Sequence, residues 1–239
     1  MSLYFVYHIE HPFFEKYKIS KKPWPWQENK EEWRKTLKKS LKLVSFNSFV
    51  ALPVTMIFFG ALNNYQVPYA LDVESIPDVP YFLLNILFQI VCEDLLLHFI
   101  HKWLHHPRLY TLIHKKHHEY VQSVCIASQY THPIEFILLS ALPNGLIALS
   151  LGKRMHITTM LMYNFAREFE THDGHCGYEF SWMPFRLIPF STSAAYHDFH
   201  HSHNVGNYSS YLTFWDTLFG ENKDYYQNKQ VQRRIFKQS

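Results

Sequence analysis

The 239-residue chain has only three cysteines, Cys92, Cys125 and Cys176, scattered without a Cys-x-x-Cys pair. That spacing excludes a disulfide framework and a thiolate zinc site, and it is compatible with a reducing compartment. Glycine is equally sparse at seven residues, and none of them builds a phosphate-cradling loop or the Gly-x-Ser-x-Gly elbow of a hydrolase. Charged residues make up 18% of the chain, below the roughly 25% of soluble domains. The net charge of +3 collects beside apolar segments, which suits an anionic membrane surface and argues against nucleic acid as a partner. No repeat of about 20–50 residues recurs. Met1 to Phe14 lacks the basic start and cleavage site of a signal peptide and reads as the stump of a membrane-dipping segment. The final residues lack a Lys-Asp-Glu-Leu retrieval signal.

Hydrophobic length is what the chain does have. Leu43 to Leu62 carries no charge over twenty residues, enough to cross a bilayer core of about 30 Å. Val79 to Cys92 begins a second span that continues through Leu95, Leu96 and Leu97. Phe136 to Leu151 and Met155 to Ala166 are shorter, hinge at Lys153 and Arg154, and read as a shallow or full membrane hairpin; a buried soluble hairpin is the other reading. With these crossings, 21 of the 23 Lys and Arg residues fall on one side, and the loop Asn63 to Asp78 on the other side has none. The positive-inside rule makes the basic side cytosolic, or matrix-facing.

Ahead of the first span, Lys16 to Lys22 and Pro23 to Trp26 suit the headgroup layer. Glu28 to Lys42, with Trp33, Leu37 and Leu41 on one face, predicts an amphipathic interfacial helix. The expected organisation is therefore an interfacial segment over 1–42, a membrane domain over 43–221 and a polar tail over 222–239. The fold class is all-α: short transmembrane hairpins capped by a histidine-rich helical head on the cytosolic or matrix face.

That head is where the histidines lie. Between Glu93 and Tyr120 there are seven: His98, His101, His105, His106, His114, His117 and His118. Residues three or four apart share a helix face, so His-x-x-His-His at 114–118 turns two or three imidazoles to one side. The same spelling returns at His197, His200 and His201, and His172 and His175 again sit three apart. Neutral imidazole is a common ligand of Zn, Fe, Cu and Ni. The two boxes read as two walls of one metal site, whereas the isolated His8, His11 and His156 read as ordinary structural residues.

The words EDLLLHFIHKWLHH, IHKKHHEY, YTHPIE, THDGHCGY, LIPF, YHDFHH and GNYSSYLTFWDTLFG, in this order over about Tyr17 to Tyr225, resemble the fatty acid hydroxylase and sterol desaturase superfamily, and within it the C-4 methylsterol oxidases. The resemblance implies a membrane di-iron oxygenase that hydroxylates a sterol or fatty acyl substrate. Its electrons would come from NAD(P)H through a cytochrome b5-type donor, and its expected home is the endoplasmic reticulum. Carried over by position, it implies the iron ligands His101, His114, His117, His118, His197, His200 and His201, with His175 as a further ligand. It also implies supporting roles for Glu119, His132 and Asp198. The family's first box, His-x-x-x-His, is expected to fall on Leu97 and His101, so that one ligand is lost; His98, about 100° further round the helix, and His172 are the reserve candidates. The family's preceding helix pair is also expected to be missing. These departures leave two alternatives open: a single structural zinc or no metal at all, and a catalytically degenerate subunit packed among other membrane subunits, for example in the mitochondrial inner membrane.

Overall fold

The computed structural model describes residues 12–229. Most of the Met1 to Phe14 stretch, His8, His11 and the end of the tail lie outside them. Among the described residues the chain is helical with no sheet, and three helical stretches are long and apolar enough to cross a membrane: Lys30–Leu62, Val79–Leu104 and Pro133–Arg154.

The first stretch is α1 (Lys30–Phe46) running without a break into α2 (Leu52–Leu62). Asn29 caps its start by accepting the Glu32 amide at 3.1 Å. Between the two lies a wide π turn, Asn47–Ala51. Its cause is Pro53, which has no N–H to give and whose ring crowds the carbonyl one turn earlier; widening the turn absorbs both problems. Pro143 produces the same device in the third stretch, where a π turn at Ile137–Ala141 joins Pro133–Phe136 to Leu142–Leu151. The predicted interfacial helix and first span are thus one continuous rod.

The second stretch, α3 (Val79–Leu104), starts at the Asp78 cap and stops where His106 meets Pro107, because the residue before proline is driven out of helical geometry. At 26 residues it is about 39 Å long. That exceeds a bilayer core, so its last turns carry His98, His101 and His105 into the head. The third stretch is α4, from Pro133 to Leu151 with its π turn. It approaches α2 closely enough that a Cβ on Gly145 would lie 2.5 Å from Cζ of Phe59, the kind of contact that small residues allow between membrane helices.

The fourth predicted segment is longer than its apolar part. It is α5 (Ile157–Gly174), about 27 Å of helix. At its start Ile157 donates to the Ala70 carbonyl and Ala70 to the Met155 carbonyl, both at 3.0 Å, beside the loop that follows α2. His156, which had no assigned role, caps this end by accepting the Thr158 amide. The other end of α5 delivers His175 to the head. Its charged residues are folded inward: Arg167 binds Glu93 and Glu170, each at 2.9 Å, and Tyr163 donates to Glu93 at 2.5 Å.

Burial is inverted relative to a water-soluble protein. On the spans Asn47, Asn85, Gln89, Glu93 and Asp94 are buried, while Phe49, Met56, Leu83, Leu84 and Phe165 face outward. This is what lipid as solvent demands, since the polar groups find partners only inside the bundle. The apolar core proper sits in the head, where Trp24, Trp33, Tyr120, Val124, Ala127 and Tyr130 pack together.

The head is completed by α6 (Ala194–His203), capped by Ser193, and α7 (Thr213–Phe219). Residues 223–229 of the expected polar tail are helical, and Tyr225 packs on Tyr196 and Phe199.

Candidate metal centre

Nine imidazoles meet in the head in two adjoining groups. The first holds His101, His105, His114, His118 and His200; the second holds His117, His175, His197 and His201. In each group one ligand nitrogen per residue lies within 4.8 Å of all the others. The two boxes expected to face each other do so, and each is shared. His117 joins the second group and its neighbour His118 the first; His200 joins the first and His201 the second. The groups touch through the stacked rings of His118 and His201, whose centroids are 4.7 Å apart.

The elements explain the split. His101 and His105 are four apart at the end of α3, so they share a face. His197 and His201 stand four apart on α6, while His200, about 100° away, turns to the other group. Residues 114–119 form a tight 3₁₀ turn, with three residues per turn, and this lets consecutive side chains diverge.

Hydrogen bonds fix the protonation of several rings. Through Nδ1, His101 donates to the Tyr208 carbonyl at 2.8 Å, His175 to Thr171 at 2.8 Å, His200 to Gly206 at 2.6 Å and His201 to Tyr120 at 3.0 Å. The Nδ1 of His114 donates to Glu135 Oε1 at 2.6 Å. A carbonyl can only accept, so in His101, His175, His200 and His201 the proton sits on Nδ1 and the lone pair on Nε2; an ionised Glu135 sets His114 the same way. The Nε2 atoms converge: that of His101 is 3.1 Å from that of His114, and His105 Nε2 is 3.0 Å from His114 and 3.2 Å from His200. In the second group His197 Nε2 stands 2.9 Å from His175 and 3.2 Å from His201. With Glu135 ionised, the protons of His101 and His114 are both committed elsewhere, so two lone pairs face each other at contact distance. That arrangement is repulsive unless a cation lies between them.

Electrostatics agree with the geometry. Burial, and secondarily the neighbouring imidazoles, push His114, His117, His197, His200 and His201 well below the ordinary histidine value. His105 is pushed down to about 2, chiefly by burial, and His175 to about 4. Neutral rings are what metal coordination needs. A histidine whose folded value is depressed costs stability when it must be protonated, so that stability is complete above about pH 6.5, the unfolded value, and lost as pH falls. The chelator-treated protein is therefore expected to melt at progressively lower temperature from pH 6.5 down to pH 4, the value near which His175 itself titrates. A melting temperature flat across that window would contradict the neutral assignment.

Five predicted residues lie elsewhere. His98 is buried against Phe219, with Nδ1 3.2 Å from both Asp216 and Ser209; one residue's rotation round α3 points it away from His101. His172 donates back to the Glu168 carbonyl and is partly exposed. His132 caps the start of α4 through the Ile134 amide. Glu119 touches no imidazole, accepting instead from Lys39, Lys116 and Tyr130 at 2.7–2.9 Å. Burial would raise its pKa, but these donors outweigh it and hold Glu119 down at about 2. Asp198 accepts the Ser123 amide.

Two residues were missed. His105 belongs to the first group, and the signal was available: His101 and His105 themselves spell His-x-x-x-His. Leu97, one turn before His101, lines the adjoining cavity instead. Glu135 is the carboxylate that holds His114, the kind of supporting role the resemblance implied for Glu119 and Asp198. It lies three residues after His132, and nothing in the spacing marks it as the nearer carboxylate.

A cavity of about 750 Å³ opens from both groups into the span region. His101, His114, His117, His175 and His197 form its head end; Phe59, Phe136, Leu139 and Leu149 are among its apolar walls.

Residues 86–221 match the family model described as fatty acid hydroxylase. Methylsterol monooxygenase 1 of Danio rerio is 35% identical over 87% of this chain and 68% of its own length; that of Rattus norvegicus is 34% identical over 95% and 74%. A very-long-chain aldehyde decarbonylase of Oryza sativa subsp. indica is 31% identical over 92% and 79%. No solved structure matches the chain.

Proposed function

The chain belongs to the fatty acid hydroxylase family, and on that premise we propose that it is a membrane-bound, non-haem di-iron oxygenase. Its substrate is a membrane lipid, a C-4 methylsterol first and a fatty acyl chain second. The observation that carries this reading is the convergence of imidazole nitrogens in two adjacent all-imidazole pockets at the head end of a cavity of about 750 Å³.

The donor set fits iron, since imidazole suits Fe as well as Zn and Cu. His101, His105, His114, His118 and His200 would hold one ion, and His117, His175, His197 and His201 the other. On this assignment His101-x-x-x-His105 is the first box, and no ligand is lost at Leu97. Bound iron would supply the dioxygen and electron chemistry needed to oxidise an unactivated C–H bond. The chain's own contribution is positional. Backbone carbonyls of Tyr208, Thr171, Gly206 and Tyr120, with the Glu135 carboxylate, hold each ring at one tilt and in one tautomer, as outer partners of metal ligands do. The apolar walls keep water from the reacting carbon and admit a lipid from the side. Electrons would arrive from a cytochrome b5-type protein at the head; the excess of basic residues supports a cytosolic position for the head, and the resemblance to methylsterol oxidases supports the endoplasmic reticulum as its membrane. No observation among the described residues favours the accessory-subunit alternative.

The test is metal analysis of the purified chain, coupled to incubation with a 4-methylsterol, O₂ and a reducing system. Two irons per chain and an O₂-dependent oxidised product are expected. Preparation with neither iron nor zinc would overturn the proposal, and one tightly held zinc without turnover would replace it with a structural site.

A further inference from the structure

Resting on the reading that this cavity receives a lipid, we infer that its mouth is the gap between α2 and α5, and that a lipid of the surrounding bilayer enters sideways through it. The packing of the helices shows where the bundle is open. α2 packs on α4, α4 on α3 and α3 on α5, while α5 otherwise rests on α6 and on the head turn Cys125–Gln129. No comparable packing joins α5 back to α2 among the described residues, so the circuit of helices is left open on that side.

Exposure along the cavity wall points the same way. Leu97 on α3 and Ala148 on α4 line the cavity and are each 5% exposed, which makes them its floor. Met56 on α2 and Leu161 on α5 line it too, yet they are 64% and 57% exposed. Exposure on that scale places them at its edge. Beside them Ile57, Met162 and Phe165 are exposed on the outer surface of the same two helices. That surface is covered by hydrocarbon, because only lipid accepts so much apolar side chain without cost. The wall of the cavity and the lipid face of the spans are therefore continuous at the gap, and bilayer lipid is what meets it.

The gap is bounded at both ends. At the head end Gln129 Nε2 donates to Glu168 Oε2 at 2.8 Å, and both residues line the cavity. At the other end the Ala70 bonds to Met155 and Ile157 tie the loop after α2 to the start of α5. From Ile157 to Glu168 the free edge of α5 is about 16 Å long. The opening is thus a slot along the helix axes, which a lipid standing upright in the bilayer can enter edge-on.

The test closes the slot. Metal-loaded Met56→Cys/Leu161→Cys protein in phospholipid nanodiscs is bridged with the shortest bis-maleimide that joins the two thiols, either before or after a diazirine-bearing 4-methylsterol is added. Photolysis then marks the side chains that the probe has reached, and mass spectrometry counts the adducts. Bridging first is expected to remove adducts at Leu97 and Ala148 and to leave those at Leu84, which is exposed on α3 and outside the cavity lining. Bridging afterwards is expected to retain the floor adducts even when cyclodextrin has extracted free sterol, and either single-cysteine protein is expected to behave as wild type. In unmodified protein, excess 4-methylsterol is expected to displace labelling at Met56 and Leu161 but not at Leu84, a readout that needs no variant. Undiminished floor labelling in protein bridged first, or edge labelling that excess sterol does not displace, overturns the proposal. A bridged protein that still oxidises 4-methylsterol at the wild-type rate refutes the gap and leaves the oxygenase reading standing; bridge-dependent labelling in a protein that makes no oxidised product does the reverse.

Discussion

Substituting His105 by alanine is expected to lower bound metal from two ions per chain to about one and to reduce lipid oxidation at least about a hundredfold. The bound follows from the tenfold to hundredfold losses seen when only an outer partner of a ligand is removed. His105 Nε2 faces both His114 and His200 at hydrogen-bond distance, so its loss opens the first group on one side while leaving the second group intact. Leu97→His is the matched control: it adds an imidazole to the cavity wall at the position where the alternative register expects a ligand. Under the present assignment it leaves the metal count at two. Metal stoichiometry by mass spectrometry reads both variants. A full complement in His105→Ala, or a third ion in Leu97→His, would reverse the assignment.

The second large effect concerns stability and lies at Asp94. Its carboxylate is fully buried and accepts three backbone amides, from Ser210 at 3.0 Å, Tyr211 at 2.7 Å and Leu212 at 3.0 Å. These amides belong to an irregular segment with no ladder or helix to satisfy them, so one side chain on α3 holds a loop more than a hundred residues away. Asp94→Ala strands three buried donors at about 1–3 kcal/mol each, a loss of at least about 3 kcal/mol. The same segment carries the Tyr208 carbonyl that orients His101, so metal should be lost together with stability. Thermal unfolding in nanodiscs and the rate of proteolysis near residues 190–212 measure the two consequences. Asp94→Asn, which keeps an acceptor oxygen, should fall between. An Asp94→Ala protein that melts with wild type would show that the segment is held by other contacts.

Much of this architecture was legible because lipid imposes strict rules on sequence. An uncharged run such as Leu43 to Leu62 has few other fates, and repeated His-x-x-His-His has few other uses. What sequence could not give was rotation. Whether His98 or His105 joined His101 depended on the phase of α3 as it left the membrane, and that phase is set by the binding of Glu93 and Asp94 to partners remote in sequence. The length of α5 was hidden for a related reason. Arg167, Glu170 and Asp173 look like the end of an apolar segment until Glu93 and Arg186 are seen to neutralise them. The supporting carboxylate was misplaced because Glu119 adjoins a ligand in sequence, and adjacency along a tight turn does not mean adjacency in space.

That tight turn has one more implication. His117 and His118 are consecutive yet serve different pockets, as do His200 and His201. A cation entering either pocket therefore fixes the backbone from which its neighbour's ligands hang, and the ordering cost of the second loading is met in part by the first. In the intact head half-filled molecules should therefore be rare at equilibrium, both pockets filling together, and a variant such as His105→Ala that opens one pocket should hold its remaining ion less tightly.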